Sequence, residues 1–420
     1  MTGSGRADRS VDVLIVGAGP AGLAAGAELA AAGAGRVEIL EREQEAGGIP
    51  RHCHHGGFGA HFPRGGFAGH FIAGGATGPA YARQCVAAAV RAGADLRTGV
   101  AVTGWAGPLT VETTGPTGLE RITARAVVLA TGARERPRSA RLVPGTRPPG
   151  VYTTGELQQA VHRYGQRIGT RAVVVGDEPI ADAAVATLRA AGVRIVAMVT
   201  DRPAAPLRVR QRVPLLTGAT VTGIEGRTRL TGVTLRRTDG RTTTLRCDTV
   251  VLTGDFVPEH ELARRAGIVL DPGTRGPAHD AAYRTSRPGV FAAGNLLHAV
   301  ERAGVAAEEG RAVAVSVLHR LSGTDRPAFV GRPVVVDAPL RWIAPNMTGP
   351  DAITRPAGDR FVLRTARRLS LPLLVVSQGG RELHRQRLLL PAVPGRPLHL
   401  AAGWTDRVDP EGPAVRVFAS

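Results

Sequence analysis

Short apolar runs that end in glycine recur along the chain, and the first of them is the most regular. Residues 11–16 are apolar at every position but Asp12, which is typical of a parallel strand buried on both faces. An alanine- and leucine-rich segment follows to about Ala32, Gly33 ends it, and residues 37–41 form a second run of strand type. The order of strand, helix and strand predicts a βαβ unit.

The alternation of strand and helix patterns continues to about residue 321. A stretch rich in Pro, Gly and Arg at 137–150 is a candidate domain boundary, and a second unit of the same type begins at Arg171. The expected helices are 80–92, 179–191 and 303–321; the expected strands are 95–102, 109–113, 122–129, 172–175, 194–199, 219–224, 232–237 and 242–253, with a further buried strand within 285–295.

The pattern changes from Arg332 onward, where short alternating runs are separated by glycine and proline. Ser377-Gln378-Gly379-Gly380-Arg381 predicts a hairpin turn between two strands. We therefore expect a small antiparallel β-domain, with strands at 334–336, 340–343, 361–363, 373–377, 383–390, 398–401 and 414–418.

The charge balance is strongly basic, with 53 basic and 35 acidic residues and a formal net charge of +18. Every basic residue other than histidine is arginine, so lysine Schiff-base chemistry is excluded. The arginines are dispersed and aromatic residues make up only 4% of the chain. With no nucleic-acid-binding motif present, we do not expect a nucleic-acid partner.

The cysteines and the N-terminal segment indicate a reducing compartment. Cys53, Cys85 and Cys247 are far apart and form no CxxC motif, which argues against a dithiol relay or a self-contained iron–sulfur cluster. The first ten residues lack the apolar core of a secretory signal. Glu28 and the neighbouring glycines argue against a transmembrane segment, so a cytoplasmic protein is expected.

The turn after the first strand has the spacing of a dinucleotide-binding site. Gly17 permits a tight turn, Gly19 lets the backbone approach a pyrophosphate, and Gly22 lets the helix pack closely on the strand. Glu41 ends the second strand about 20 residues later, where its carboxylate would accept hydrogen bonds from a ribose.

Three motifs now stand in order: GAGPAG at 17–22, ATGA at 130–133 and TSRPGVFAAGN at 285–295. This order resembles the flavoproteins with two dinucleotide-binding domains, in which one Rossmann domain binds FAD and a second is inserted into it. GGIPRHCHHGGFG, ATGARERP and FAAGN resemble more narrowly the FAD subunits related to hydrogen cyanide synthase, octopine oxidase and glycerol-3-phosphate dehydrogenase. The resemblance covers roughly residues 11–321.

The resemblance implies an α/β fold with two Rossmann-like three-layer domains, the second inserted in the first, followed by the small C-terminal β-domain. The expected bounds are a flexible tail at 1–10, an FAD-binding domain at 11–150 and 257–325, a dinucleotide-binding-like domain at 151–256, and the β-domain at 332–420.

The resemblance also implies which residues contact FAD. The pyrophosphate would lie on the turn from Gly17 to Gly22, the ribose beside Glu41, the adenine beside the Val102 backbone, and the ribityl chain near Gly294 and Asn295. Relatives often carry Asp where Asn295 stands, so the electrostatics there would be less negative. The full set of expected FAD contacts is Gly17, Gly19, Pro20, Ala21, Gly22, Glu41, Arg42, Gly48, Val102, Thr131, Gly132, Gly294 and Asn295.

The second dinucleotide-type turn, at 176–181, departs from the motif. Glu178 stands where a glycine is expected, and Asp177 adds a second carboxylate at a helix N-terminus that would otherwise attract phosphate. Two interpretations stay open: a working NAD(P)H site, or a packed remnant, which the charge conflict favours.

The loop at 47–59 is rich in glycine and histidine. Its histidines and Cys53 raise the question of a metal site, but His54 and His55 are adjacent and do not converge easily, so no metal is expected. Beside a flavin, His52 or His54 would accept a proton from substrate; equally, these residues and the nearby His61 fit a role in packing. His298 is a third candidate, orienting substrate near the flavin.

These features predict an FAD-dependent oxidoreductase. The favoured hypothesis is oxidation of a small amine, amino acid derivative or hydroxy compound by hydride transfer to the flavin. One alternative is an NAD(P)H-dependent flavoprotein reductase. Another is the flavin-binding subunit of a heteromeric dehydrogenase complex that passes electrons to a partner subunit.

Overall fold

The computed structural model describes residues 7–59, 75–203, 213–324, 331–349 and 356–420. The chain divides into two compact units, and the second interrupts the first. The first unit comprises residues 1–48, 82–133 and 258–420, and the second comprises residues 49–81 and 134–257. His61 lies outside the described residues.

The helices and strands are numbered in chain order. To residue 135 they are β1 (Ala7–Val16), α1 (Pro20–Ala31), β2 (Val37–Glu41), α2 (Gly78–Arg91), β3 (Asp95–Thr98), β4 (Ala101–Trp105), β5 (Thr110–Gly115), β6 (Gly118–Leu129) and β7 (Ala133–Glu135). To residue 265 they are β8 (Val151–Thr153), α3 (Thr154–His162), β9 (Arg171–Val175), α4 (Pro179–Ala190), β10 (Arg194–Val199), β11 (Leu215–Leu216), β12 (Ala219–Gly226), β13 (Leu230–Arg237), β14 (Thr242–Arg246), β15 (Thr249–Leu252), β16 (Phe256–Pro258) and α5 (Glu261–Arg265). The remainder are β17 (Val290–Ala292), α6 (Ala303–Leu321), β18 (Val334–Val336), β19 (Leu340–Ala344), β20 (Arg360–Thr365), β21 (Leu373–Gln378), β22 (Arg381–Arg387), β23 (Leu398–Ala401) and β24 (Val415–Ala419).

The first unit is built on a sheet in the order β3-β2-β1-β6-β5-β4, with β17 also paired to β6. β1 is parallel to β2 and β6, and β17 is parallel to β6. Leu14 and Ile15 of β1 are fully buried, which explains the nearly uninterrupted apolar run of this strand. The turns after β1, β2, β6 and β17 therefore meet at one edge of the parallel part of the sheet.

The prediction of a single strand at 95–102 is wrong, because the chain breaks at Gly99 into β3 and β4. Gly99 adopts a φ of +69°, a conformation that glycine accepts at little cost. Its N–H donates to the Glu43 carbonyl at 2.8 Å, and the Val100 N–H donates to the Glu41 carbonyl at 2.9 Å. The chain is thereby tied to the end of β2.

The second unit has a parallel sheet in the order β11-β10-β9-β15-β8 and an antiparallel sheet in the order β12-β13-β14. The prediction of one strand at 242–253 is also wrong. The segment forms two strands, of which β14 belongs to the antiparallel sheet and β15 to the parallel one. Asp248 lies at the break, where its carboxylate accepts hydrogen bonds from the Thr170 and Arg171 N–H groups at 2.9 to 3.0 Å. The change of sheet is thus fixed by a side chain.

The C-terminal residues form two sheets, β18-β24-β21-β22 and β19-β20-β23. Phe361 and Trp404 stack in their core with ring centroids 4.8 Å apart. Gly379 and Gly380 have positive φ and form the expected hairpin turn between β21 and β22. All strand pairs here are antiparallel except β18 with β24.

Candidate functional site

The turn after β1 has the geometry of a pyrophosphate cradle. A Cβ on Gly22 would lie 1.9 Å from the Gly17 carbonyl oxygen, and one on Gly17 would lie 2.4 Å from that of Ala130. A Cβ on Gly19 would meet no described atom within 4 Å. Gly19 caps α1, Pro20 occupies its first turn with Ala21, and no acidic side chain stands in that turn. The residues therefore fit a bound phosphate group at this helix end.

Glu41 is buried at the end of β2, and each of its oxygens accepts one backbone hydrogen bond. The Ala18 N–H donates to Oε2 at 3.0 Å and the Glu43 N–H donates to Oε1 at 2.9 Å. A carboxylate oxygen accepts two hydrogen bonds, so each keeps capacity for a ribose hydroxyl. Gly48 lies beside the same turn, because a Cβ on it would come within 2.9 Å of the Gly19 Cα.

Three other predicted contacts converge on Glu259, a residue that the sequence analysis missed. The Thr131 hydroxyl donates to the Glu259 carbonyl at 2.8 Å, and the Gly132 carbonyl accepts from the Glu259 N–H at 2.9 Å. The exposed Arg42 guanidinium lies 3.4 Å from the Glu259 carboxylate. Val102 is half-buried in β4 and takes no part in this group.

Gly294 and Asn295 follow β17, and each is held by a glutamate of the α6 region. The Gly294 N–H donates to Glu309 Oε2 at 2.9 Å. The Asn295 amide accepts from the Glu301 N–H at 2.9 Å and donates to the Glu301 carbonyl at 3.2 Å. Glu309 was missed as well; the signal for it was an acidic residue on the otherwise apolar face of α6.

His298 is buried between those two glutamates. Its Nε2 lies 2.8 Å from Glu309 Oε1 and its Nδ1 lies 4.0 Å from Glu301 Oε1. Burial alone would lower the pKa of His298, but the two carboxylates outweigh burial and raise the pKa above its ordinary value. The Trp342 ring packs 5.6 Å away.

The histidines of the glycine- and histidine-rich loop lie in the second unit. His52 is buried at the end of a short 3₁₀ turn, whereas His54 is exposed and stacks on His162 with ring centroids 4.1 Å apart. Cys53 is buried with its Sγ 3.5 Å from the Gln158 amide oxygen, and burial raises the pKa of this thiol to about 12. Cys53 is therefore protonated and a poor nucleophile.

Within the described residues, no group of three or more His, Cys, Asp or Glu side chains could hold a metal ion. With His61 undescribed, the absence of a metal stays a prediction.

The second dinucleotide-type turn holds its own carboxylate where a phosphate would approach. Glu178 Oε2 accepts from the Thr253 hydroxyl at 3.0 Å, and a Cβ on Gly254 would lie 2.7 Å from Glu178 Oε1. Asp177 pairs with Arg202 at 3.2 Å. Burial raises the pKa of both acids. Glu178 therefore occupies the N-terminus of α4, and this turn does not fit an NAD(P) pyrophosphate.

The comparison with protein families now decides the assignment. The model of the family described as pyridine nucleotide-disulphide oxidoreductase matches residues 11–310. The chain belongs to this family. The predicted kinship and the α/β fold class are confirmed, and the chain belongs to a family of FAD-dependent oxidoreductases.

Within this family, the chain is similar to subunits of amine-type oxidases by name, sarcosine oxidase and opine oxidase. The chain is 30% identical over 365 residues to the alpha subunit of the sarcosine oxidase of Corynebacterium sp. strain P-1, covering 81% of this chain and 36% of the relative. It is 31% identical over 178 residues to one of the subunits of the opine oxidase of Agrobacterium tumefaciens strain Ach5, covering 40% of this chain and 32% of that one. The chain spans between 15% and 36% of the length of four curated relatives, these two among them.

Among solved structures, the thioredoxin reductase of T. acidophilum superposes with a TM-score of 0.58 at 22% identity. The match covers 75% of this chain and 99% of that one. This likeness supports the fold. Among the described residues, no helix is both long and apolar enough to cross a membrane.

Proposed function

We propose that this chain oxidises a small amine or amino acid derivative and takes its electrons from that substrate and not from NAD(P)H. The observation that carries the proposal is the Glu178 carboxylate, which lies within the second dinucleotide-type turn against Thr253 and Gly254 and puts a carboxyl group beside the N-terminus of α4. The first unit, by contrast, leaves room at Gly19. One dinucleotide site is thus available and the other is closed by the chain itself.

The relatives support the choice of substrate class. They carry the names sarcosine oxidase and opine oxidase, and both sarcosine and opines are N-substituted amino acids. Because the chain spans at most 36% of these relatives, their substrates reach this protein only as a proposal.

The reaction removes two electrons and two hydrogens from the substrate. FAD, when bound, accepts the hydride that leaves the carbon next to the amine nitrogen. The nitrogen proton passes to a base, and the resulting imine is hydrolysed by water to an amine and a carbonyl compound. Electrons leave the protein for oxygen, a quinone or a partner protein.

The residues of the chain bind and orient the cofactor. Gly17, Gly19 and Gly22 bind the pyrophosphate, and Glu41 orients the ribose. Of the two loop histidines, His54 is exposed and His52 is buried, and the choice of base between them stays a prediction from the sequence.

A second candidate function is the flavin-binding subunit of a heteromeric complex. It is favoured by the names of the relatives, each of which denotes a single subunit of an oxidase. The chain would then need its partner to complete catalysis.

Anaerobic titration of the FAD-loaded protein tests these proposals. We expect the flavin absorbance to bleach with sarcosine-type amines or amino acid derivatives and to persist with stoichiometric NADH or NADPH. Bleaching by either nicotinamide would overturn the proposal and favour a reductase. Bleaching by amine only after a co-purifying protein is added supports the subunit function. Hydroxy acids in the same panel complete the test of substrate class.

A further inference from the structure

A buried charge cluster joins His298 to both residues of the turn after β17. One flanking carboxylate, Glu309, also accepts the Gly294 N–H at 2.9 Å. The other, Glu301, is bonded through its backbone N–H and carbonyl to the Asn295 amide. The imidazole therefore lies between Glu309, which binds Gly294, and Glu301, which binds Asn295.

We propose that His298 is a positioning residue whose protonation sets the affinity of the Gly294-Asn295 turn for FAD, with Glu309 and Glu301 as the connecting groups. The inference rests on the FAD site of the proposed function but does not depend on the substrate. It replaces direct contact with substrate as the role of His298.

Burial is the first argument for this role. His298 is only 2% exposed, and both ring nitrogens face carboxylates. The Nδ1 atom is buried without a hydrogen-bond partner within the described structure. A ring enclosed in this way influences the site through its neighbours.

The C-terminal sheets supply the positive charge that balances Glu301, so the net charge of the cluster depends on whether His298 is protonated. Arg364 of β20 pairs with Glu301 at 2.5 Å, and its guanidinium lies 5.3 Å from the Trp342 ring centroid of β19. Arg364 thereby balances Glu301, and a protonated His298 balances Glu309. Loss of the proton leaves one uncompensated negative charge in a buried cluster.

The other titratable groups facing this cluster keep one charge state near neutral pH. His279 is buried, and burial followed by repulsion from His298 lowers its pKa to about 4. Burial, with Glu309 and Glu308, raises the pKa of Tyr283 well above its ordinary value. Glu309 has a lowered pKa, because His298 outweighs the effect of burial. His298 is therefore the group whose charge changes.

The sign of the effect follows from the raised pKa of His298. The proton is lost as the pH rises through that raised value, so FAD affinity should fall on the alkaline side of it. One proton limits the change to about tenfold in the dissociation constant per pH unit.

The first test measures FAD binding to the apoprotein by fluorescence quenching between about pH 6 and about pH 9. We expect the dissociation constant of the wild type to rise with pH, and Glu309→Gln to remove most of that slope. The matched control is Glu308→Gln, an exposed neighbour on the same helix, which should keep the wild-type slope. A flat wild-type profile, or an unchanged slope in Glu309→Gln, overturns the inference.

The second test needs no variant. Histidine-selective NMR follows the pKa of His298 with and without FAD. Because coupling is reciprocal, FAD should raise that pKa; an unchanged pKa overturns the coupling even if Glu309→Gln fails to fold. If FAD binds tightly but independently of pH, only the inference about His298 is wrong. If FAD does not bind at any pH, the proposed FAD site is wrong as well.

Discussion

Glu178 and Gly19 occupy corresponding places in two turns of the same type, and the side chain that only Glu178 carries gives the turns opposite properties. At Gly19 the space in front of the helix is clear, whereas at Glu178 the carboxylate is bonded to Thr253 and lies against Gly254. The raised pKa of Glu178, caused mainly by burial, shows that the charged form is unfavourable there.

Replacing Glu178 by Gln should stabilise the protein above the pKa of the carboxyl group. A raised folded-state pKa means that the native glutamate loses stability as the pH rises, and the amide removes that loss. We expect the urea midpoint of Glu178→Gln to exceed that of the wild type at about pH 8, with the difference shrinking toward about pH 5. Glu28→Gln, an exposed substitution on α1, is the control and should show no such difference. Equal midpoints throughout would contradict the prediction.

Two glycines of the first turn should respond differently to alanine. Gly22→Ala places a Cβ 1.9 Å from the Gly17 carbonyl oxygen and should cost about 1 to 3 kcal/mol of unfolding free energy. Gly19→Ala meets no described atom, so the apoprotein should keep its stability while losing FAD affinity. Chemical denaturation and FAD titration of both variants check this pair. A stable Gly19→Ala that binds FAD normally would show that the pyrophosphate lies elsewhere.

Among the described elements that the sequence analysis missed, α3 is the longest; the others are β7, β8, β11, β16 and α5. Helix α3 is short and its apolar positions are few, but Thr153 and Glu156 form a reciprocal capping box at its start. The pattern Thr-x-x-Glu was present in the sequence and could have revealed the helix.

Removing that cap should destabilise the second unit. Thr153→Ala deletes the acceptor for the Glu156 N–H and should cost about 1 kcal/mol. Thr153→Ser keeps the hydroxyl and should retain nearly all of the stability. Urea denaturation of the two variants measures the difference, and equal losses would show that packing of the methyl group, and not the cap, is responsible.

Long, strongly patterned elements were predictable from the sequence, and the links between distant segments were not. The expected helix at 303–321 has the bounds of α6, because apolar spacing alone specifies it. The breaks at Gly99 and Asp248 depend on partners remote in sequence, such as Glu43 and Thr170. Arg364 was missed for the same reason, since its importance arises only where β20 meets Glu301.

At the scale of the whole molecule, the two units differ in what they should bind. The family assignment gives FAD to the protein, and the residues that fit it all belong to the first unit. The domain bounds expected from the sequence stay a prediction, as do the individual FAD contacts.

Hydrogen exchange should show that ligands protect the two units differently. FAD at 100 times its dissociation constant should stabilise the protein by about 2.7 kcal/mol. Protection should concentrate at 17–22, 41–48 and 290–310, while NADPH should leave the turn at 176–181 unchanged. Protection of that second turn by NADPH would contradict its proposed closure by Glu178.

The pairing of Arg364 with Glu301 also bears on how the protein can be shortened. Truncation after α6 would remove β20 and with it the cation that faces a buried acid. What remained would carry an unbalanced charge beside the turn after β17. The C-terminal sheets are therefore no dispensable appendage, and a minimal flavin-binding fragment of this chain must extend at least through Thr365.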